Sequence, residues 1–393
     1  MKIGLLLGVD FVEPKIDKRV FLVAAALKDA GHEVQVFCWS RRFEDNADNG
    51  EYHGVPFTRI RQRLPKINLP FVTKIPSYFS LVQKMMKNLN TFKPDVVIST
   101  DLDMLPIAFL GKFFFKYNLV YDVHEHWPLM ESNQSHALGV FTNYLESMLL
   151  LRVDGVITIT ETLASKYREE KKQTLVLHTA PFLKDIKKLE FAPRDEMRSR
   201  FGIKATDVLV GYIGSLLPDK GIEMIVESFS EIYKKRPDTS VKLMIVGGPP
   251  NLLEGLKDIS SNLGCDPIII FQEFVKHEEI HNYFNILDLA IIQYSDVPWA
   301  NLAMAHKITE GFAFGVPAMV RNFKERSKFI RKHKSGFVFS NPAPKKVASA
   351  ILSLVDSGLL PKLGRKAKKE FESKLCWEKQ VDGLLAMINN FEH

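Results

Sequence analysis

Short aliphatic runs and longer mixed stretches repeat along this chain in a steady rhythm. Ile3–Leu7 is continuously apolar and predicts a strand. Val20–Ala30 carries apolar residues at helical spacing and stops before Gly31, a residue suited to a helix end. His32–Phe37, Asp95–Ser99, Leu119–Val123, Val156–Ile159 and Thr174–Leu177 read as further strands. Runs without polar alternation are buried on both faces, as in a parallel sheet covered by helices. Between residues 184 and 206 the rhythm lapses, charge rises, and Pro193 and Gly202 interrupt. It then restarts. Val208–Ile213, Val241–Val246, Ile268–Phe271, Leu289–Ile292 and Val316–Val320 read as strands, Gly221–Lys235 and Lys307–Phe314 as helices, and Trp377–Phe391 as an amphipathic close. The expectation is an α/β domain over 1–185, a linker over 186–206, a second doubly wound α/β domain over 207–376, and a helix over 377–393 crossing back to the first domain.

Composition narrows the class. At 393 residues the chain suits two domains, and 46% hydrophobic with 25% charged residues is an ordinary globular balance. Cys38, Cys265 and Cys376 are too few and too scattered for a disulfide framework or a zinc site, so a reduced cytoplasmic setting is expected. No run reaches the roughly 18 apolar residues of a membrane span, and Met1–Leu7 reads as the first strand, not a leader. Net charge is +7. Residues 59–93 hold eight basic side chains and no acid, interleaved with Phe71, Tyr78 and Phe79. This stretch reads either as a solvated face or as a dock for an anionic membrane surface or lipid-linked acceptor. Nucleic acid is not expected as a partner, because no recognition motif accompanies the charge.

Three stretches carry candidate chemistry. In Val210–Gly221 a strand runs into Gly214 and Ser215, a short loop carries Lys220, and a helix follows Gly221. Free N–H groups at that helix start, with the lysine, suit a diphosphate; the other reading is an ordinary turn with a solvated lysine. In Lys307–Pro317, Lys307 and Glu310 share a helix face. Glu310 could accept from two vicinal hydroxyls, as on a ribose, or form only a surface ion pair. In Val120–Pro128, at the end of a strand, His124 could donate to a sugar or phosphate oxygen or sit satisfied in the core. His124 and His126 lack an evident third metal ligand, so no metal is expected. Asp101 closes a neighbouring strand and would line the same crevice.

Read in order, these stretches resemble the retaining glycosyltransferases of the GT-B fold, family 4 (glycosyl transferases group 1). The resemblance rests on Ala30-Gly31-His32-Glu33-Val34, Lys93-Pro94-Asp95-Val96-Val97, Tyr121-Asp122-Val123-His124-Glu125, Arg152–Glu161, Gly214-Ser215 to Lys220-Gly221, Val246-Gly247-Gly248, Lys307–Glu310, Gly315-Val316-Pro317 and Ser335–Val338. It implies two Rossmann-like domains facing a central cleft. It also implies transfer of a sugar from a nucleotide-sugar donor, without cofactor or metal, in cell-surface polysaccharide or glycolipid synthesis. The enzyme would be cytoplasmic or peripheral on the inner membrane face. Carried over by position, Lys220 holds the diphosphate with Gly214, Ser215 and Gly247; Lys307 and Glu310 serve the ribose; Phe274 and Val275 lie near the base. His124 is catalytic and faces the transferred sugar or acceptor, with Asp101, Asp122 and Glu125 on the acceptor side. The chain departs from the family pattern in three places. Ser215 stands where an arginine is usual, Leu302 where the first of two paired glutamates is usual, and Gly8 alone remains of a glycine-rich loop. The rival readings are a non-hydrolysing sugar-nucleotide 2-epimerase on the same fold and a non-catalytic membrane-associated scaffold.

Overall fold

Two parallel sheets organise the protein, described by a computed structural model at all residues except 13–15, 42–46, 64–74, 133–134, 171, 277–278 and 393. The chain forms two compact units, the first Met1–Thr179 with Gln380–His393 and the second Ala180–Lys379.

The first unit runs β1 (Lys2–Leu7), α1 (Lys18–Asp29), β2 (Glu33–Ser40), β3 (Asn49–Tyr52), β4 (Val55–Arg61), α2 (Ile75–Phe92), β5 (Val96–Thr100), α3 (Asp101–Phe115), β6 (Asn118–Val123), α4 (Trp127–Ser132), α5 (His136–Leu150), β7 (Gly155–Thr158), α6 (Glu161–Glu169) and β8 (Gln173–Val176). Its sheet has the order β3-β4-β2-β1-β5-β6-β7-β8, all parallel except the β3–β4 hairpin. The central strands are apolar on both faces, with Ile3, Leu5, Val97, Ile98 and Val120 buried. That is why the pattern marks them so clearly. Gly31, at φ 90°, lets the chain turn from α1 into β2.

The second unit runs α7 (Leu183–Lys188), α8 (Arg194–Arg200), β9 (Val208–Ile213), α9 (Ile222–Lys235), β10 (Val241–Val246), α10 (Pro250–Leu263), β11 (Ile269–Gln272), α11 (Ile280–Ile286), β12 (Leu289–Ile292), α12 (His306–Ala313), β13 (Ala318–Arg321), α13 (Lys324–His333), β14 (Gly336–Phe339), α14 (Pro344–Asp356) and α15 (Leu360–Glu370). α16 (Trp377–Asn389) begins here and passes into the first unit, where Met387 lies against Gly155 of β7. The second sheet, β11-β10-β9-β12-β13-β14, is wholly parallel.

Two expectations need correction. Residues 186–206 are not a bare linker. They include α8, and Met197 and Ile203 belong to the second unit's core. Arg198 is buried there, donating to the carbonyls of Ile286 and Asp207. The stretch starting at Arg59 is not uniformly a solvated or docking face either. Arg59 lies inside β4, 9% exposed, with its Nε 3.0 Å from both carboxylate oxygens of Asp10. Lys66, Phe71 and Lys74 of that stretch lie outside the described residues.

Candidate functional site

In each sheet the chain reverses its direction of growth at one point, between β1 and β5 and between β9 and β12. Crevices outside the carboxyl ends of strands at such points are where open α/β sheets hold ligands. Asp101 follows β5, beside the first of these points, and Gly214 to Lys220 follow β9, beside the second; His124 and Glu125 follow β6, Lys307 and Glu310 lie on α12, and Phe274 and Val275 follow the edge strand β11.

In the first unit, Asp122, next to last in β6, is 1% exposed. Arg19, in the first turn of α1, donates Nε to both Asp122 oxygens at 3.1 Å and Nη2 to Oδ1 at 2.7 Å; its Nη1 donates to the carbonyl of Leu177 at 2.6 Å. His124 Nε2 lies 3.1 Å from Asp122 Oδ2. Asp101, at φ 54° where β5 passes into α3, accepts the backbone N–H groups of His124 at 2.9 Å and Glu125 at 3.2 Å. Asp101, Asp122 and His124 are therefore one network, which Glu125 joins through its backbone N–H while its side chain is exposed.

The charges set one another. Burial opposes ionisation of Asp122, but the Arg19 guanidinium and His124 outweigh it and hold that carboxyl well below the usual range. Burial also works against the His124 cation; Asp122, with Asp101 behind it, overrides this and raises the ring to about 9. Burial lifts Asp101 to about 6, and Asp103 likewise to about 6. At neutral pH this crevice thus presents a protonated imidazolium. Gly8, which follows β1, passes so close to Asp103 that a Cβ there would lie 1.9 Å from its Oδ2.

His126 has separate partners: its Nδ1 accepts from the N–H of Leu129 at 3.2 Å, and its Nε2 lies 3.3 Å from Lys166 Nζ. Among the described residues, no three His, Cys, Asp or Glu side chains gather as a metal-binding set.

In the second unit, Gly214 donates to the carbonyl of Val246 and Gly247 to that of Gln272, which extends the ladder past the strand ends. A Cβ on Gly247 would meet the Gly214 carbonyl oxygen at 1.9 Å, so two glycines bring these backbones together. Tyr212 Oη donates to the carbonyl of Ser215 at 2.7 Å and fixes the next turn. A 3-10 turn, Pro218–Lys220, then delivers the chain to Gly221, at φ 60°, and α9 starts behind it. Lys220 Nζ sits 2.8 Å from Asp219 Oδ2, 4.4 Å from the ring centroid of Tyr294 and 5.0 Å from that of Trp299. It is thus not simply solvated, but placed on an aromatic floor near the positive end of a helix.

On α12, Lys307 Nζ lies 2.9 Å from Glu310 Oε2, and Glu310 is 1% exposed, so this is not a surface pair. Phe274 is 74% exposed beside Gly248, while Val275 packs against the core. Leu302 closes the turn Pro298–Asn301 that carries Trp299.

Several contributors escaped the sequence reading. Arg326 of α13 is fully buried and stacks on Tyr294 with its Cζ 4.1 Å from the ring centroid. Its Nη2 donates to the carbonyl of Ala300 at 3.0 Å, while Nε and Nη1 find no hydrogen-bond partner among the described residues. Arg321 donates to the carbonyl of Tyr294 and pairs with Asp296. A signal existed for Arg326: it is three and four residues before Phe329 and Ile330, on the apolar stripe of an otherwise charged helix. Arg19 likewise precedes Leu22 and Val23 on the buried side of α1.

Two family models match the chain: Glycosyltransferase Family 4 over residues 16–176 and Glycosyl transferases group 1 over residues 193–370. The lipopolysaccharide 1,2-N-acetylglucosaminetransferase of Salmonella typhimurium is 25% identical over 211 residues, 51% of this chain and 52% of that protein. The D-inositol 3-phosphate glycosyltransferase of Acidothermus cellulolyticus is 25% identical over 208 residues, 51% of this chain and 45% of that protein. The chain thus spans about half the length of the curated relatives it matches. Among solved structures, a sucrose-phosphate synthase from Thermosynechococcus elongatus is similar with a TM-score of 0.79 at 15% identity, covering 100% of this chain and 99% of that one. The HepE protein of Anabaena in complex with UDP-glucose gives 0.74 at 16% identity, covering 99% and 100%. Similarity at such identities shows a shared fold.

Proposed function

Because the chain belongs to the group 1 glycosyltransferases and has their GT-B fold of two Rossmann-like domains, we propose that it transfers a sugar from a nucleotide-sugar donor to an acceptor hydroxyl with retention of anomeric configuration. The observation that carries this reading is Lys220, held over Tyr294 and Trp299 beside the N-terminus of α9 at the reversal point of the second sheet.

In this reading the donor diphosphate lies against Gly214, Ser215 and the start of α9, with Lys220 answering its charge. Glu310 accepts from the ribose hydroxyls with Lys307 paired beside it, and Gly247, Phe274 and Val275 flank the base. The bond from the anomeric carbon to the diphosphate breaks, and a bond to the acceptor oxygen forms on the same face. The acceptor proton passes to the departing phosphate oxygen. The chain's part is positioning and charge stabilisation, unlike the two-carboxylate scheme of retaining hydrolases. Lysine and helix dipole neutralise the leaving group, so the reading needs no metal. His124, protonated by its bond to Asp122, is proposed to donate to an oxygen of the sugar or acceptor. The lipopolysaccharide transferase among the relatives supports a place in cell-surface polysaccharide or glycolipid synthesis. The three cysteines, all buried and free, suit a cytoplasmic setting.

Thermal-shift screening of nucleoside diphosphates and their sugars tests this. Ligand that binds the native state raises the melting temperature according to ln(1 + [L]/Kd). A selective rise with one base identifies the donor, and product formed only when acceptor is added establishes transfer. An epimerised sugar formed from donor alone would instead establish the epimerase reading, and no response to any nucleotide would leave the donor site without support.

A further inference from the structure

We propose that the outer face of the α2–α3–α5 layer docks this protein on an anionic lipid surface. α2 packs on α3 and α3 on α5, and right-handed crossovers put all three on one side of the first sheet. Along α5 and its end, Leu138, Phe141, Tyr144, Met148 and Leu151 recur every three or four residues, and all are exposed, Tyr144 by 64% and Leu151 by 78%. On α3 the neighbouring Phe113 and Phe114 are exposed by 68% and 61%. A core helix buries such a stripe; here large aromatic and aliphatic side chains line the solvent side of two adjacent helices.

Charge selects the occupant. α2 contains no acid, and the acids of α3, Asp101 and Asp103, are confined to its first turn, at the opposite end from Phe113. The single acid of α5, Glu146, is fully buried and bonded to Lys166, Tyr121 and Tyr167. Exposed basic residues accompany the apolar stripe: Lys87 and Lys84 on α2, Lys116 after α3 and Arg152 after α5. Lys84 also donates to the carbonyl of Arg61. A basic and aromatic face, on helices that expose no acid beyond the first turn of α3, complements anionic headgroups over an apolar layer. It would repel a second copy of itself. The basic contribution comes from the helices, since Arg59 is already paired with Asp10. This goes beyond the donor reading, and its test uses no donor.

The full chain would be sedimented with vesicles of phosphatidylcholine alone or with roughly one third phosphatidylglycerol. Expected is capture by the anionic vesicles, weakened by salt, and a loss of about tenfold or more in partitioning for the combined F113S, F114S and F141S variant. Because these side chains are exposed, its melting temperature should match the parent's. Lys87→Glu with Arg152→Glu should lower capture by the anionic vesicles by a similar factor. Equal capture of variant and parent, equal capture by both vesicle types, or no capture would overturn the proposal. So would a parent dimer that the apolar variant disperses, since the face would then belong to a second copy.

Discussion

Raising the pH should unlock the Arg19–Asp122–His124 network, and replacing His124 should remove that sensitivity. The ring titrates near 9 in the folded protein against an ordinary value near 6.5. A folded-state value raised in this way contributes stability that is fully present below pH 6.5 and is lost as pH rises through 9. The difference corresponds to about 3 kcal/mol at about 1.4 kcal/mol per unit. Other groups act outside this window. Asp122, held below its usual range, loses its contribution only on the acid side. Asp101 and Asp103, lifted to about 6, are half-titrated where the pH series begins and largely ionised by neutrality, so the His124 loss is read above neutrality. Cys38, pushed up to about 12, adds an alkaline loss of its own that His124→Gln would share. The assay is the urea midpoint from pH 6 to 9.5 for parent and His124→Gln, with the ring's titration followed by NMR. Glutamine can still donate to Asp122 but carries no charge. The variant should be less stable than the parent near pH 6 and converge with it near pH 9.5. A histidine midpoint at or below 6.5, or parallel curves for the two proteins, would refute the pairing and the imidazolium role built on it.

Glu310→Ala should weaken nucleoside-diphosphate binding roughly ten- to a hundredfold, the value of charge-assisted bonds to two hydroxyls, as read by calorimetry. Unchanged affinity would remove Glu310 from the ribose. Gly247→Ala places a Cβ 1.9 Å from the Gly214 carbonyl oxygen and must push the ends of β9 and β10 apart. It should cost about 1–3 kcal/mol and reduce nucleotide affinity; an unaltered melting curve would contradict that crowding. Arg59→Ser leaves Asp10 buried without its cation and should cost about 3–5 kcal/mol in urea unfolding, whereas a freely solvated arginine would cost almost nothing.

Local pattern carried the strands, because a strand covered on both faces is apolar at every position and needs no knowledge of its neighbours. β9 and β10 were legible for that reason. β3 and β4 were not: β3, Asn49–Tyr52, is largely exposed, and β4 buries Arg59 where the pattern calls for an apolar residue. Lys220 was legible through the glycines around it, and Glu310 through its apolar flanks. What each touches was not. Tyr294 and Trp299, beneath Lys220, follow it by more than seventy residues, and Arg19 reaches Asp122 across 103 residues. Pairings of that range are set by sheet order, which the spacing of strands along a chain does not reveal.

Arg326 shows why such long-range partners matter for function. A buried guanidinium with unbonded Nε and Nη1 is costly, and burial pulls it down to about 10, so it remains a cation at neutral pH. Among the described residues no carboxylate pairs with it; its contacts include the rings of Tyr294 and Phe323 and the carbonyl of Ala300. Those contacts anchor Tyr294 and the turn bearing Trp299, the two rings beneath Lys220, so Arg326 acts as a positioning residue for that lysine. Arg326→Met separates this role from a structural one. Methionine fills similar space without stranded donors, so stability should hold or rise by about 1–4 kcal/mol, as when buried charges give way to apolar side chains. Nucleotide affinity should nevertheless fall, because the aromatic floor loosens. If stability and affinity fell together, Arg326 would be structural; if affinity were untouched, the stack on Tyr294 would have no part in holding Lys220.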